Sequence, residues 1–128
     1  MKKIVLLILV GVGAILLLIS QNVKTTVAIP ESDKIVIYKK QHLIKTVQDT
    51  DLISFHSLLT KTKPYLFTNE GVHDNPLVSS YYTLKLFNKD EEVGTLYLYS
   101  DNNNTILEKP YEYTVKLQAP LENLIELN

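Results

Sequence analysis

The sequence predicts an α+β fold: an antiparallel β-meander with one helix packed on one face and a short C-terminal helix, preceded by a single N-terminal transmembrane helix. Three observations predict it. Residues 4–19 contain no charged or strongly polar side chain. Residues 51–62 repeat apolar side chains at helical spacing. Residues 80–117 alternate apolar and polar side chains in short runs separated by turn-forming residues.

The chain opens on Met1-Lys2-Lys3, and its uncharged stretch continues through Ser20-Gln21-Asn22-Val23 to Lys24. A helix over residues 4–23 is about 30 Å long at roughly 1.5 Å per residue, the thickness of a bilayer's hydrocarbon. Residues 1–23 are therefore expected to form an anchor. Lys2 and Lys3 stay cytoplasmic and the rest is sent outside, because short cationic flanks remain on the inner side. The competing reading is a cleaved signal peptide, which would make the product secreted. It lacks the paired small residues that a peptidase needs just after the apolar run.

Residues 24–33 read as a tether, polar and without a sustained period, and residues 34–128 as one extracytoplasmic domain. Within that domain Lys34-Ile35-Val36-Ile37-Tyr38 is rich in β-branched and aromatic side chains and reads as a strand. Residues 43–47 form a second, shorter strand after the turn-like Lys39-Lys40-Gln41-His42. Asp49 or Thr50 then caps a helix carrying Leu52, Phe55, Leu58 and Leu59, which Pro64 stops. Residues 68–76 are a loop by composition.

The meander follows. Leu84 and Leu86 lie opposite Thr83, Lys85 and Phe87, while Leu96 and Leu98 lie opposite Thr95, Tyr97 and Tyr99. Asn88-Lys89-Asp90-Glu91 and Asp101-Asn102-Asn103-Asn104 make the turns. Residues 105–108 and 111–117 are further strands around Lys109-Pro110, and Pro120 opens a short helix with Leu121, Leu124, Ile125 and Leu127. One sheet face, with Leu84, Leu86, Leu96, Leu98 and Val115, is expected to pack on the helix of residues 51–62. Burial of each such side chain contributes roughly 1.5–3 kcal/mol before chain entropy is subtracted.

Composition excludes several function classes. With no cysteine there is no disulfide, thiolate nucleophile or lipid-modified cysteine. The 13 basic residues are all lysine, and three of them, Lys2, Lys3 and Lys24, precede the 14 acidic ones. The outer part is thus acidic and free of arginine, a poor match to phosphate backbones, so no nucleic-acid partner is expected. No cofactor is expected either, because the four glycines include Gly11 and Gly13 of the anchor and make no phosphate-cradling loop. The three histidines, His42, His56 and His73, fall in separate elements. Asp101, Asn103 and Thr105, with Glu112 at the twelfth position, imitate a calcium loop, but Ile106 stands where that loop needs glycine. A hairpin turn is the better reading.

Tyrosine is the unusual feature: eight, against three phenylalanines and no tryptophan. Tyr81, Phe87, Tyr97 and Tyr99, interleaved with Lys85, share the sheet face away from the helix and are the candidate partner-binding residues. Tyrosine gives large contact area at small entropic cost. The plain alternative is that tyrosine is simply a good strand residue on a half-wet surface.

Asn75-Pro76 ahead of Tyr82-Thr83-Leu84-Lys85-Leu86, then Thr95-Leu96-Tyr97-Leu98-Tyr99, and above all Glu108-Lys109-Pro110-Tyr111 leading into a strand, resemble domain-of-unknown-function family 5301. The resemblance covers about residues 66–117. It implies a small, N-terminally membrane-anchored, extracytoplasmic protein of a Gram-positive bacterium, and it lends no mechanism. Members often carry a glycine shortly after the Pro-Tyr, where Glu112-Tyr113 stands in this chain.

The expected function is a non-catalytic module that binds a protein or an envelope component, with membrane lipid as the partner of its N-terminal helix. One alternative is a small enzyme acting on cell-envelope material through His73, Asp74 and Glu108, which requires their convergence in one cleft. Another is a regulator that works through its membrane span, although Gly11 and Gly13 make no small-residue stripe.

Overall fold

The computed structural model describes residues 2–22, 24–65 and 75–126, with the side chains of residues 18–22 outside the description. The first element is helix α1, Lys2–Asn22, of 21 residues. Every described side chain on it is exposed, including Ile4, Leu7, Ile8 and Leu16. Among the described residues no helix is long and apolar enough to cross a membrane, and for α1 the described side chains stop at Leu17.

Eight strands follow: β1 (Lys24–Thr26), β2 (Lys34–Lys39), β3 (His42–Gln48), β4 (Lys61–Tyr65), β5 (Tyr82–Asn88), β6 (Glu91–Asp101), β7 (Asn104–Lys109) and β8 (Tyr113–Leu117). Helix α2 is Thr50–Thr60 and helix α3 is Leu121–Ile125. The strands form one sheet in the order β1-β4-β8-β7-β6-β5-β2-β3, with antiparallel pairing throughout. The fold is thus α+β with an antiparallel sheet, and β5 to β8 are the expected meander. The β2–β3 hairpin extends it along β5, pairing Lys34 with Phe87 and Lys39 with Tyr82.

The predicted core face is observed. Leu84, Leu86, Leu96 and Leu98 are fully buried, Val115 is nearly so, and they pack with Phe55 and Leu59 of α2 and Leu124 of α3. Ile35 and Ile37 of β2 and Val47 of β3 extend the same layer.

Three connections are two-residue hairpins with a common backbone. Lys40 and Gln41 have φ of 50° and 69°, Lys89 and Asp90 have 53° and 67°, and Asn102 and Asn103 have 50° and 66°. Two successive residues in the left-handed region make the type I′ turn, whose twist matches that of the flanking strands. The turn after Pro110 is different. The Glu112 N–H donates to the Lys109 carbonyl at 3.0 Å, and Tyr111 has φ 63°. This is the pattern of a type II turn with proline second and a left-handed residue third. A tyrosine occupies the place that favours glycine, and the last strand begins at Tyr113, two residues later than the sequence indicated.

Other expectations are corrected. The segment read as a tether, residues 24–33, is tied into the domain. Its first three residues are β1, Val27 is buried, and the Val27 N–H donates to the Thr60 carbonyl at 3.3 Å. The Tyr65 hydroxyl donates to the Thr26 carbonyl at 2.8 Å, and the Tyr113 hydroxyl to the Ala28 carbonyl at 3.1 Å. Ile29 and Val27 supply the apolar contact that makes docking favourable. Pro64 does not end a helix but sits inside β4, which is tolerable because that strand meets β8 only at Thr62↔Leu117. Asp49 stands at the N-cap of α2 with φ 58° and makes no side-chain capping bond.

Candidate functional site: the open sheet face

Both α2 and α3 pack on the core side of the sheet, where Phe55, Leu59 and Leu124 join the strand leucines. The opposite face carries the odd-numbered residues of β5, those of β6 from Thr95 onward and the even-numbered residues of β2, because side chains alternate along a strand. Pairing aligns them in rows. Val36, Lys85 and Thr95 form one row. Tyr38, Thr83, Tyr97, Glu108 and Thr114 form the next.

Aromatic rings and lysines pair along this face as the alternation implied. The Lys34 Nζ lies 5.0 Å from the centre of the Phe87 ring, and the Lys85 Nζ lies 5.4 Å from that of Tyr38. Such cation–π contacts stabilise by about 0.5–1 kcal/mol at exposed sites. The Tyr81 and Tyr97 rings meet edge to face, with centroids 5.3 Å apart and planes at 88°. The Tyr97 hydroxyl donates to Asn75 Oδ1 at 3.2 Å, so the chain just before β5 is held against the sheet.

Of the five residues assigned to this face from sequence, Tyr81, Lys85, Phe87 and Tyr97 are half-buried. Tyr99 lies on this face but is buried there: it is only 8% exposed, and its hydroxyl donates along the face to Glu108 Oε1 at 3.4 Å. Burial first, then the charge and hydrogen bond of Glu108, push its phenol up to about 12. Tyr99 shares the face of the strip but not its exposed surface.

Glu108 was singled out only for the enzymatic alternative. It is 8% exposed, although its neighbours Leu107 and Lys109 gave no sign of a buried acid. Tyr99 and Thr114 both donate to its Oε1 at 3.4 Å, while its Oε2 is buried with no hydrogen-bond partner among the described residues. An unsatisfied buried carboxylate oxygen costs free energy. His73 and Asp74, the other members of that set, lie outside the described residues.

The remaining candidates are dispersed. His42 is exposed at the start of β3, and His56 is half-buried on α2, beside Ser32, Leu52 and Ile53. The imitation calcium loop is a hairpin: Thr105 is buried opposite Leu117, and Glu112 instead pairs with Lys109 at 2.8 Å. Among the described residues no group of three or more His, Cys, Asp or Glu side chains is placed to hold a metal ion.

A shallow cleft of about 380 Å³ opens where the β2–β3 turn meets the start of β5, lined by Lys40, Gln41, Ser79, Tyr81 and Thr83. It adjoins the aromatic strip through Tyr81.

In comparisons with known proteins, the model of domain-of-unknown-function family 5301, described as a domain of unknown function (DUF5300), matches residues 20–116. No curated protein and no solved structure matches the chain.

Proposed function

From the premise that the chain belongs to domain-of-unknown-function family 5301, we propose that it is a membrane-anchored, extracytoplasmic, non-catalytic module that offers its open sheet face to a protein or envelope partner. The observation that carries this reading is the strip of Tyr38, Tyr81, Lys85, Phe87 and Tyr97 on a face that neither α2 nor α3 covers. Half-buried rings held by one another and by lysine stems form a pre-organised surface, and pre-organisation lowers the entropic cost of binding.

Support for the anchor comes from α1. At roughly 1.5 Å per residue its 21 residues extend about 31 Å, which matches the hydrocarbon thickness. Leu18 and Ile19 continue the apolar run beyond the described side chains. A helix that is apolar around its whole circumference belongs inside a protein or in lipid, and the described side chains of α1 are all exposed. Lipid is the partner proposed for it.

A photo-crosslinking residue placed at Lys85 or Tyr81 in the full chain should yield a discrete adduct in intact cells, and one at Asn123 on α3 should not. Equal labelling at all three positions would refute the face. Protease added to intact cells should remove residues beyond the anchor, and full protection of the domain would refute the topology.

A further inference from the structure

We propose that the cleft lined by Lys40, Gln41, Ser79, Tyr81 and Thr83 is a binding site for an acidic saccharide unit, one sugar ring bearing a carboxylate or phosphate. The inference rests on the reading of the open face as a binding surface and names the ligand class for one end of it.

The first argument is the state of the polar groups. Elsewhere on this face several hydroxyls are engaged: Thr95 donates to Glu92, Tyr97 to Asn75, and Tyr99 and Thr114 to Glu108. In the cleft the Lys40 ammonium, the Gln41 amide and the hydroxyls of Ser79, Tyr81 and Thr83 make no side-chain hydrogen bond or ion pair with any described residue. Donors and acceptors thus converge on one concavity with their bonding capacity unused.

The second argument is the mixture of chemistry. Tyr81, braced by Tyr97 at 5.3 Å, supplies an aromatic surface for the C–H face of a sugar. Three hydroxyls and one amide match a ring of hydroxyls. Lys40 supplies one positive charge, and among the described residues no carboxylate lines the cleft to oppose an anion.

The third argument is conformational. Lys40 and Gln41 occupy the two left-handed positions of a type I′ turn that Asn-Gly would fill with less strain. Both residues line the cleft, and Asn-Gly would remove the ammonium and the longer amide from its rim. At about 380 Å³ the cleft lies at the lower end of the range for small-ligand sites, roughly 300–1,000 Å³. It lacks the large apolar anchor that a protein partner would need.

The test is titration of the full chain in detergent micelles, followed by backbone amide shifts in NMR. The probes are trigalacturonate and glucose 6-phosphate, with cellotriose and inorganic phosphate as controls. Both acidic sugars should give saturable shifts at residues 40–41 and 79–83. Cellotriose and phosphate alone should bind about tenfold more weakly, since each lacks one half of the recognition. Lys40→Gln should reduce the acidic sugars to the affinity of cellotriose, and Tyr81→Ala should abolish saccharide shifts. Absence of saturable shifts, shifts confined to residues 85–95, or unchanged affinity in Lys40→Gln would each overturn the proposal. The crosslink at Lys85 reads the wider face separately, so loss of one result leaves the other standing.

Discussion

Replacing Lys89-Asp90 by Asn-Gly should stabilise the protein, because both residues sit at positive φ, 53° and 67°. A side chain in the left-handed region costs roughly 1–2 kcal/mol relative to glycine, while glycine's extra freedom in the unfolded chain returns about 0.5–1 kcal/mol of that. Asparagine tolerates the first position better than lysine does. The net gain for the pair is about 1 kcal/mol. Little is lost in exchange. The Lys34–Asp90 ion pair is 3.8 Å long with the Asp90 side chain 96% exposed, so solvent screening leaves it nearly without effect. The bond from the residue 89 backbone N–H to Asp33 Oδ2, at 3.0 Å, does not depend on the side chain. For a domain of about 100 residues the gain corresponds to a rise of roughly 4–8 °C in Tm. Circular dichroism of the full chain in micelles reads it. The change Asn102→Lys with Asn103→Asp places the same strained pair in the third hairpin and should lower Tm by a smaller amount, because Asn103 already carries a side chain there. An unchanged or lower Tm for the first variant, together with an unchanged Tm for the second, would refute the assignment of strain to these turns.

Glu108→Gln should raise the urea midpoint modestly, since it replaces a buried carboxylate whose Oε2 has no partner among the described residues by a neutral amide and keeps an oxygen for Tyr99 and Thr114. A lower midpoint would show that the carboxylate is favourably paired. Tyr65→Phe and Tyr113→Phe each delete a bond to the residue 24–33 segment and should cost about 0.5–1.5 kcal/mol. Faster hydrogen exchange at the Val27 N–H, which is bonded to Thr60, is the local readout, and unaltered exchange there would count against the docking of this segment. Alkaline titration should unfold the protein early. Folded Tyr99 holds its proton to about pH 12, whereas the unfolded chain releases it near 10. Its contribution is therefore complete below pH 10 and is lost as pH climbs through 12, at about 1.4 kcal/mol per pH unit. Burial raises Tyr113 in the same direction. Tyr99→Phe should flatten this fall in stability, and an identical profile for that variant would refute the linkage.

The meander was legible because β5 and the middle of β6 alternate and the turns are built from Asn, Asp and Lys. β1 and β4 were not. Lys24-Thr25-Thr26 is too short to show a period. Lys61-Thr62-Lys63-Pro64-Tyr65 buries only Thr62, with charges and a proline at its other positions. Neither segment has strand propensity to speak of, and each becomes a strand through pairing supplied from far along the chain: Thr26 with Lys61, and Thr62 with Leu117. Gln118 reinforces the second pairing from outside the strand, its Nε2 donating to the Thr62 carbonyl at 2.8 Å. The site was read in part. Alternation gave the correct face for Tyr81, Lys85, Phe87 and Tyr97, but it reports direction and not cover, so the burial of Tyr99 and Glu108 on that same face was invisible. The cleft was equally hidden, because it joins the tip of one hairpin to residues some forty positions later.

The docked segment changes what the proposed anchor implies. A free tether over residues 24–33 would let the binding face roam tens of ångströms from the lipid. Instead α1 ends at Asn22 and β1 begins at Lys24, and one residue spans no more than about 3.6 Å. With α1 in lipid, β1 and its partner β4 are held next to the end of the span. The sheet has two edges, β1 and β3. The β1 edge is three residues long and carries Lys24, features that discourage pairing with another chain. On the proposed anchoring, a partner of the open face near β1 and β4 would work close to the membrane surface. The turn of Lys40 and Gln41 belongs to the hairpin at the opposite edge of the sheet, which leaves the cleft at the end of the strand order farthest from the strand that follows the anchor.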